Sequence, residues 1–208
     1  MPDADLDHAA SVLVGAAYSS AGEGCMAISV VVAVGNHTAD ALIAKMIPHI
    51  QAIRINAGDV PDTDMGALIS NTHRQRVLAA IDKGIDEGAK LIIDGRGFKH
   101  PEHPQGFFLG PCLFDDVTEQ MSVYQNEIFG VNKHQYGNGT AIFTRDGFSA
   151  REYCQRVQVA MVGINIPIPV PIANHPFGGW KHSAFGDSNM HGAESIHFYT
   201  RRKTVTSK

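Results

Sequence analysis

The chain has 208 residues, 44% of them apolar and 18% charged, and carries a formal net charge of −4 at pH 7. These values describe one ordinary folded domain, possibly with a small appended element, and exclude a disordered polymer or a basic surface for nucleic acid or anionic lipid. The longest strongly apolar run, residues 27–34, is too short to span a bilayer, and the acidic start Met1-Pro2-Asp3-Ala4-Asp5 reads as neither a secretion signal nor an arginine-rich transit peptide.

Residues 5–21 read as a helix: Leu6, Ala9, Ala10, Leu13 and Ala17 fall at helical spacing, and Asp5 and Asp7 suit its start. Gly22 and Gly24 end it. Residues 27–34 form a continuous apolar, β-branched run of the kind that makes a strand buried on both faces of a parallel sheet. Thr38 can cap a helix carrying Leu42, Ile43, Met46 and Ile47, which Pro48 breaks or restarts. Residues 58–66 are a turn-rich loop. Residues 71–88 return to helix, with Val77, Leu78, Ile81 and Ile85 on one face and Gly88 as the stop.

Leu91-Ile92-Ile93 is a short strand, and residues 106–117 carry another. Ser149-Ala150-Arg151-Glu152 fits a capping box, followed by the apolar stripe Tyr153, Cys154 and Val157. Residues 161–166 form a buried strand that runs into a proline-rich loop. Strands alternating with helices predict an α/β domain with a mainly parallel sheet and flanking helices. No internal repeat is present.

Three cysteines, Cys25, Cys112 and Cys154, are too few and too scattered for a disulfide framework or a zinc site. Free thiols suit a reducing compartment, and the expected location is cytoplasmic. Cys154, on a helix stripe, and Cys112, in a strand-like stretch, read as packing residues. His100 and His103 have ligand-like spacing, but two prolines spoil a regular face and no second ligand pair follows, so no metal site is expected.

Cys25 differs from the other two. In Gly22-Glu23-Gly24-Cys25-Met26-Ala27-Ile28-Ser29 it sits among glycines and small residues, between a helix and an apolar run. A substrate carbonyl could approach such a thiol, and nearby main-chain N–H groups could meet the oxyanion. Read locally, a small buried hydrophobe is the alternative.

The segment from Met1-Pro2-Asp3-Ala4-Asp5-Leu6-Asp7 through Ala16-Ala17-Tyr18 to Cys25-Met26-Ala27-Ile28-Ser29-Val30 resembles the catalytic-cysteine segment of aldehyde dehydrogenases. Within that family it is similar to the CoA-acylating branch acting on methylmalonate and malonate semialdehydes. The resemblance continues through Thr63-Asp64-Met65-Gly66, Glu127-Ile128-Phe129-Gly130 and Tyr136-Gly137-Asn138-Gly139. It runs on through Asn165-Ile166-Pro167, Phe177-Gly178-Gly179-Trp180-Lys181 and Phe198-Tyr199-Thr200-Arg201, covering essentially the whole chain in the family's order.

The resemblance implies the catalytic domain of such an enzyme, partial over residues 1–195, with 196–208 as a C-terminal strand that reaches a partner subunit. It implies that Cys25 attacks the aldehyde as thiolate, that hydride passes to NAD, and that coenzyme A takes the acyl group from the thioester while the substrate carboxylate leaves as carbon dioxide. Glu127 matches the glutamate that binds the nicotinamide ribose, and Phe129 the phenylalanine beside the nicotinamide. Gly24 and Phe177 fall in the substrate pocket. Locally, Glu127 serves equally as a surface residue at a strand's edge, and residues 167–171 and 174–179 as structural loops.

Four departures accompany the match. The family's N-terminal half, with the dinucleotide-binding domain, is not in these residues. Gly24 stands where the family has an arginine that can pair with the semialdehyde carboxylate, a loss of a few kcal/mol of recognition by the usual strength of such contacts. After Gly130, residues 131–135 replace a strand-and-helix piece of about twenty residues by usual element lengths. Ala67 replaces a proline. The expectation is an isolated chain unable to complete the reaction, associating with itself or with a full-length paralogue. The alternative is a non-enzymatic remnant that keeps only the association, and a weaker third is acyl-transfer or esterase-like chemistry from Cys25 alone.

Overall fold

The computed structural model describes residues 1–125, 135–186 and 188–207. Glu127 and Phe129, and the shortened connection after Gly130, lie outside the described residues. The chain divides into two compact units, residues 1–130 with 143–146, and residues 131–142 with 147–208.

In the first unit, α1 (Leu6–Tyr18) begins where Asp5 accepts a hydrogen bond from the His8 N–H through its side chain, satisfying one of the donors a helix start leaves open. Helix α2 (Asn36–Gln51) packs against it. Ala9, Ala10, Leu13 and Val14 from α1 meet Leu42, Met46 and Ile50 from α2, the i, i+4, i+8 positions of one face. Helix α2 begins after Gly35, not at Thr38, which is buried inside it, and it runs through Pro48 to Gln51. Proline removes the N–H that would bond the Ala44 carbonyl, and both residues lie on the exposed face, where water can take that partner's place.

Helix α3 (Asn71–Asp86) is capped by the Ser70 side chain on the His73 N–H and stops at Gly88, whose φ of +100° suits glycine. Strand β1 (Lys90–Ile93) pairs antiparallel with β2 (Leu113–Asp115). Leu68, Ile81 and Leu109 form a second core, with Val77, Leu78, Ile85 and Phe114 packed on it. The short helix α4 (Ser122–Gln125) is tied to the end of α3 by Glu87, which accepts from the Ser122 N–H and hydroxyl at 2.6 and 2.8 Å.

The expected strand at 27–34 does not form within this chain. Among the described residues the run joins no ladder, and Val31, Val32 and Val34 are exposed. An apolar run specifies a strand only where a partner strand supplies the ladder, and the described residues of this unit supply none here.

In the second unit, β3 (Tyr136–Gly137) pairs antiparallel with β6 (Trp180–Lys181). Strand β4 (Gly139–Ile142) pairs parallel and in register with β5 (Met161–Ile164), joined through α5 (Gly147–Arg156). The Thr140 and Tyr153 hydroxyls meet at 2.8 Å, fixing α5 to β4. Helix α5 starts two residues before Ser149, so the capping box read at Ser149 is not used. The fold is α/β as expected, with its strands in three two-stranded pieces among the described residues, one of them parallel. Helix α6 (Gly192–Tyr199) takes the first residues of the segment expected as a C-terminal strand to a partner subunit, and 200–207 join no ladder among the described residues. No described helix is long and apolar enough to cross a membrane.

Residues 143–146 belong to the first unit because Asp3 holds them. Its Oδ2 accepts from the buried Thr144 hydroxyl at 2.7 Å and from the Arg145 and Asp146 N–H groups at 2.7 and 2.9 Å. The Thr144 bond first, then the backbone donors, hold the Asp3 carboxyl below its ordinary range. A depressed folded-state value stabilises the fold above the unfolded carboxyl's titration and loses that contribution as pH falls through the folded value. Asp3→Asn should therefore melt below the wild type at pH 7. The two melting curves should converge as the pH is taken below the usual carboxylate range, and a gap that persists there would contradict the assignment.

Candidate active site

Cys25 is exposed, on a turn closed by the Ala27 N–H donating to the Gly24 carbonyl at 3.0 Å. The chain leaves α1 through Ser20, Ala21 and Gly22, all left-handed, with φ of 51°, 54° and 77°. The Glu23 N–H donates to the Ser20 carbonyl at 2.9 Å, and the Ile28 N–H returns to the Ala16 carbonyl at 3.2 Å. Ala21 packs on the Leu68 core and Ile28 on the α1–α2 core, so the turn is held at both ends by side chains.

A Cβ built at Gly24 meets only Ala27, its Cβ at 3.9 Å and its N at 4.0 Å. A Cβ has room there, so close contact does not impose glycine at this position.

The Glu23 side chain points away along the first unit. Its Oε1 lies 3.2 Å from His73 Nε2 and accepts from the Ile69 N–H at 3.4 Å. Sequence reading gave neither Glu23 nor His73 a role. They are fifty positions apart, and no local spacing announces a contact made by a loop and a helix start.

Phe177, in the second unit, is half-buried and exchanges backbone hydrogen bonds with Met190 at 2.7 and 2.9 Å. A Cβ at the adjacent Gly178 would overlap the Asn189 side chain, so glycine is what lets that side chain seat beneath the loop.

The other thiols divide. Cys112 is half-buried, its Sγ accepts from the Gly95 N–H at 3.2 Å, and burial pushes the thiol up from its ordinary range. Cys154 is exposed rather than packed, which corrects the stripe read from sequence. Ala150 and Val157 are the buried residues of that region, and the Tyr153–Thr140 bond turns the next position outward.

His100 is buried, with Nε2 2.9 Å from Asn56 Oδ1 and Nδ1 accepting from the Glu102 and His103 N–H groups. Both ring nitrogens are thus committed within the protein, and the described residues contain no group of three His, Cys, Asp or Glu placed to hold a metal.

The aldehyde dehydrogenase family profile matches residues 1–130 and 131–205. Malonate-semialdehyde dehydrogenase of Pseudomonas aeruginosa is 51% identical over all of this chain and 45% of its own length. The human mitochondrial methylmalonate-semialdehyde/malonate-semialdehyde dehydrogenase [acylating] is 41% identical, again over all of this chain and 42% of its own. A Sinorhizobium meliloti structure assigned as methylmalonate-semialdehyde dehydrogenase, in complex with NAD, superposes with a TM-score of 0.94 at 51% identity, over 100% of this chain and 46% of that one. The Oceanimonas doudoroffii methylmalonate-semialdehyde dehydrogenase gives 0.94 at 46% identity with the same coverage.

The chain belongs to the aldehyde dehydrogenase family, and it spans a little under half the length of these relatives. The Pseudomonas alignment runs over 225 residues against the 208 here, a difference of 17, and the family match falls in two segments that meet at Gly130.

The environments rank the thiols. Under limiting iodoacetamide, Cys112 should label last, because burial opposes its thiolate. Cys25, on its small-residue turn, should label first. Peptide mapping by mass spectrometry that finds Cys112 or Cys154 ahead of Cys25 would remove Cys25 as the reactive thiol.

Proposed function

From membership of the aldehyde dehydrogenase family we infer that this chain carries the thiol half of a CoA-acylating oxidation of malonate or methylmalonate semialdehyde, with Cys25 as nucleophile. The observation that carries the reading is the exposed Cys25 on its pinned turn. Cysteine suits the work because its thiolate adds readily to a carbonyl carbon and its thioester remains activated toward a second thiol.

The family's hydride acceptor is NAD, a role no side chain can fill. The described residues do not by themselves build a place for it. The extended run ending at Val34 turns into α2 through Gly35 alone, without the further glycines that let a backbone approach a pyrophosphate. Glu127 and Phe129, proposed to hold the nicotinamide end, lie outside the described residues. The whole reaction is therefore proposed for this chain together with the length its relatives have in addition.

The acyl-transfer step needs no cofactor and belongs to residues present here. Cys25 thiolate attacks the carbonyl carbon of an acyl-CoA, the new carbon–sulfur bond forms, and the bond to CoA breaks. The CoA thiolate leaves and takes a proton from water. Incubation with propionyl-CoA should thus add one propionyl group to Cys25 with release of free CoA, and Cys25→Ser should abolish both. An unmodified Cys25, or label on Cys154 instead, would overturn the reading.

A second reading, association without catalysis, is favoured by α6. Ile196, Phe198 and Tyr199 are 65%, 69% and 84% exposed, an apolar cluster that a solitary chain leaves wet. We propose that this end joins a second copy or a full-length paralogue. Light scattering should give a concentration-dependent mass for residues 1–208 and a lower one for residues 1–195. Equal monomer masses in both would dismiss it.

A further inference from the structure

The turn that presents Cys25 has two non-glycine residues, Ser20 and Ala21, in left-handed backbone. Such residues persist only where the surroundings over-determine them. Hydrophobic packing of Ala21 and Ile28 holds the turn's flanks. Glu23, two residues before the thiol, reaches to the start of α3. Its Oε1 accepts from the Ile69 N–H at 3.4 Å and lies 3.2 Å from His73 Nε2 as an ion pair, while the Ser70 hydroxyl caps the same helix by accepting from the His73 N–H at 3.1 Å. The His73 backbone N–H is held by the helix cap, so the carboxylate meets the first turn of a capped helix. Glu23 keeps 28% of its side chain exposed and His73 40%, so the contact is made at the surface and leaves the turn open.

We propose that His73 and Glu23 are positioning residues for Cys25: the Glu23–His73 bond anchors the nucleophile's turn to the N-terminal end of α3 and so fixes where the thiol points. The proposal rests on the reading of Cys25 as nucleophile, since without it the pair would merely anchor a loop. What matters is a donor at position 73 and an acceptor at position 23. A glutamine can replace either one, and alanine neither.

The native thiols are alkylated with bromotrifluoroacetone, and the Cys25 fluorine resonance is identified by its loss in Cys25→Ser. In the wild type that resonance should stand apart from its position in urea. In His73→Ala and Glu23→Ala it should move toward the urea position, and in His73→Gln and Glu23→Gln it should return. On unlabelled protein, the rate of propionyl transfer from propionyl-CoA to Cys25 should fall by on the order of tenfold in the alanine variants, as misplacement of a reacting group by a fraction of an ångström implies, and recover in the glutamine variants. A wild-type resonance and rate in His73→Ala overturn the proposal. So does a shifted resonance with an unchanged rate, or a failure of both glutamine variants to rescue. If the wild type takes no propionyl group at all, the nucleophile reading fails separately, and the resonances still decide whether the pair sets the thiol's position.

Discussion

The site depends on one backbone constraint, three successive left-handed residues between α1 and Cys25. For a non-glycine residue that conformation costs roughly 1–2 kcal/mol, because Cβ crowds the following carbonyl. Ser20 and Ala21 both bear this, and Gly22, at φ 77°, does not. Burial offsets the cost. Ala21 touches the core around Leu68, Ile81 and Leu109, and Ile28 touches the core shared by α1 and α2. The turn is thus the place where the two cores of the first unit meet through the chain, and the thiol projects from the turn's exposed side. A relaxed loop of the same length would have no reason to keep Ala21 inward and Cys25 outward together.

Where sequence and structure agree, a local chemical signal coincides with the packing. Helix α1 begins at a true cap, Asp5 on the His8 N–H, and its apolar positions face a partner helix. Helix α3 ends at Gly88 because the chain must take φ of +100° there. Disagreement arises where the deciding partner is distant. Residues 27–34 have the composition of a buried strand, but composition provides no ladder, and several of their valines stand exposed. Pro48 is a helix breaker in isolation, yet it sits on the wet face of α2, where losing one backbone bond is tolerated.

The candidate site divides along the same line. Cys25 was legible because glycines and small residues around a thiol are a local pattern. Cys154 was misread because a helical stripe fixes spacing but not rotation, and the rotation of α5 is set by a hydroxyl pair between Tyr153 and Thr140. The Glu23–His73 contact was invisible for a stronger reason. Each residue is ordinary where it stands, a polar residue in a loop and a histidine in a first helical turn, and the fold alone makes them neighbours.

Two different devices hold Cys25 and Phe177. The turn of Cys25 is held by left-handed backbone whose flanks are buried, with Glu23 in ion-pair range of His73. Phe177 is held by close packing: a backbone pairing with Met190 and a glycine, Gly178, beneath which the Asn189 side chain sits with no room for a methyl group. Close packing resists gradual change, because any added atom must displace its neighbour outright. Gly24 lies at the other extreme, since a side chain there meets only Ala27 at ordinary contact distance. A Cβ thus has room at position 24, whereas one at Gly178 requires the Asn189 side chain to move.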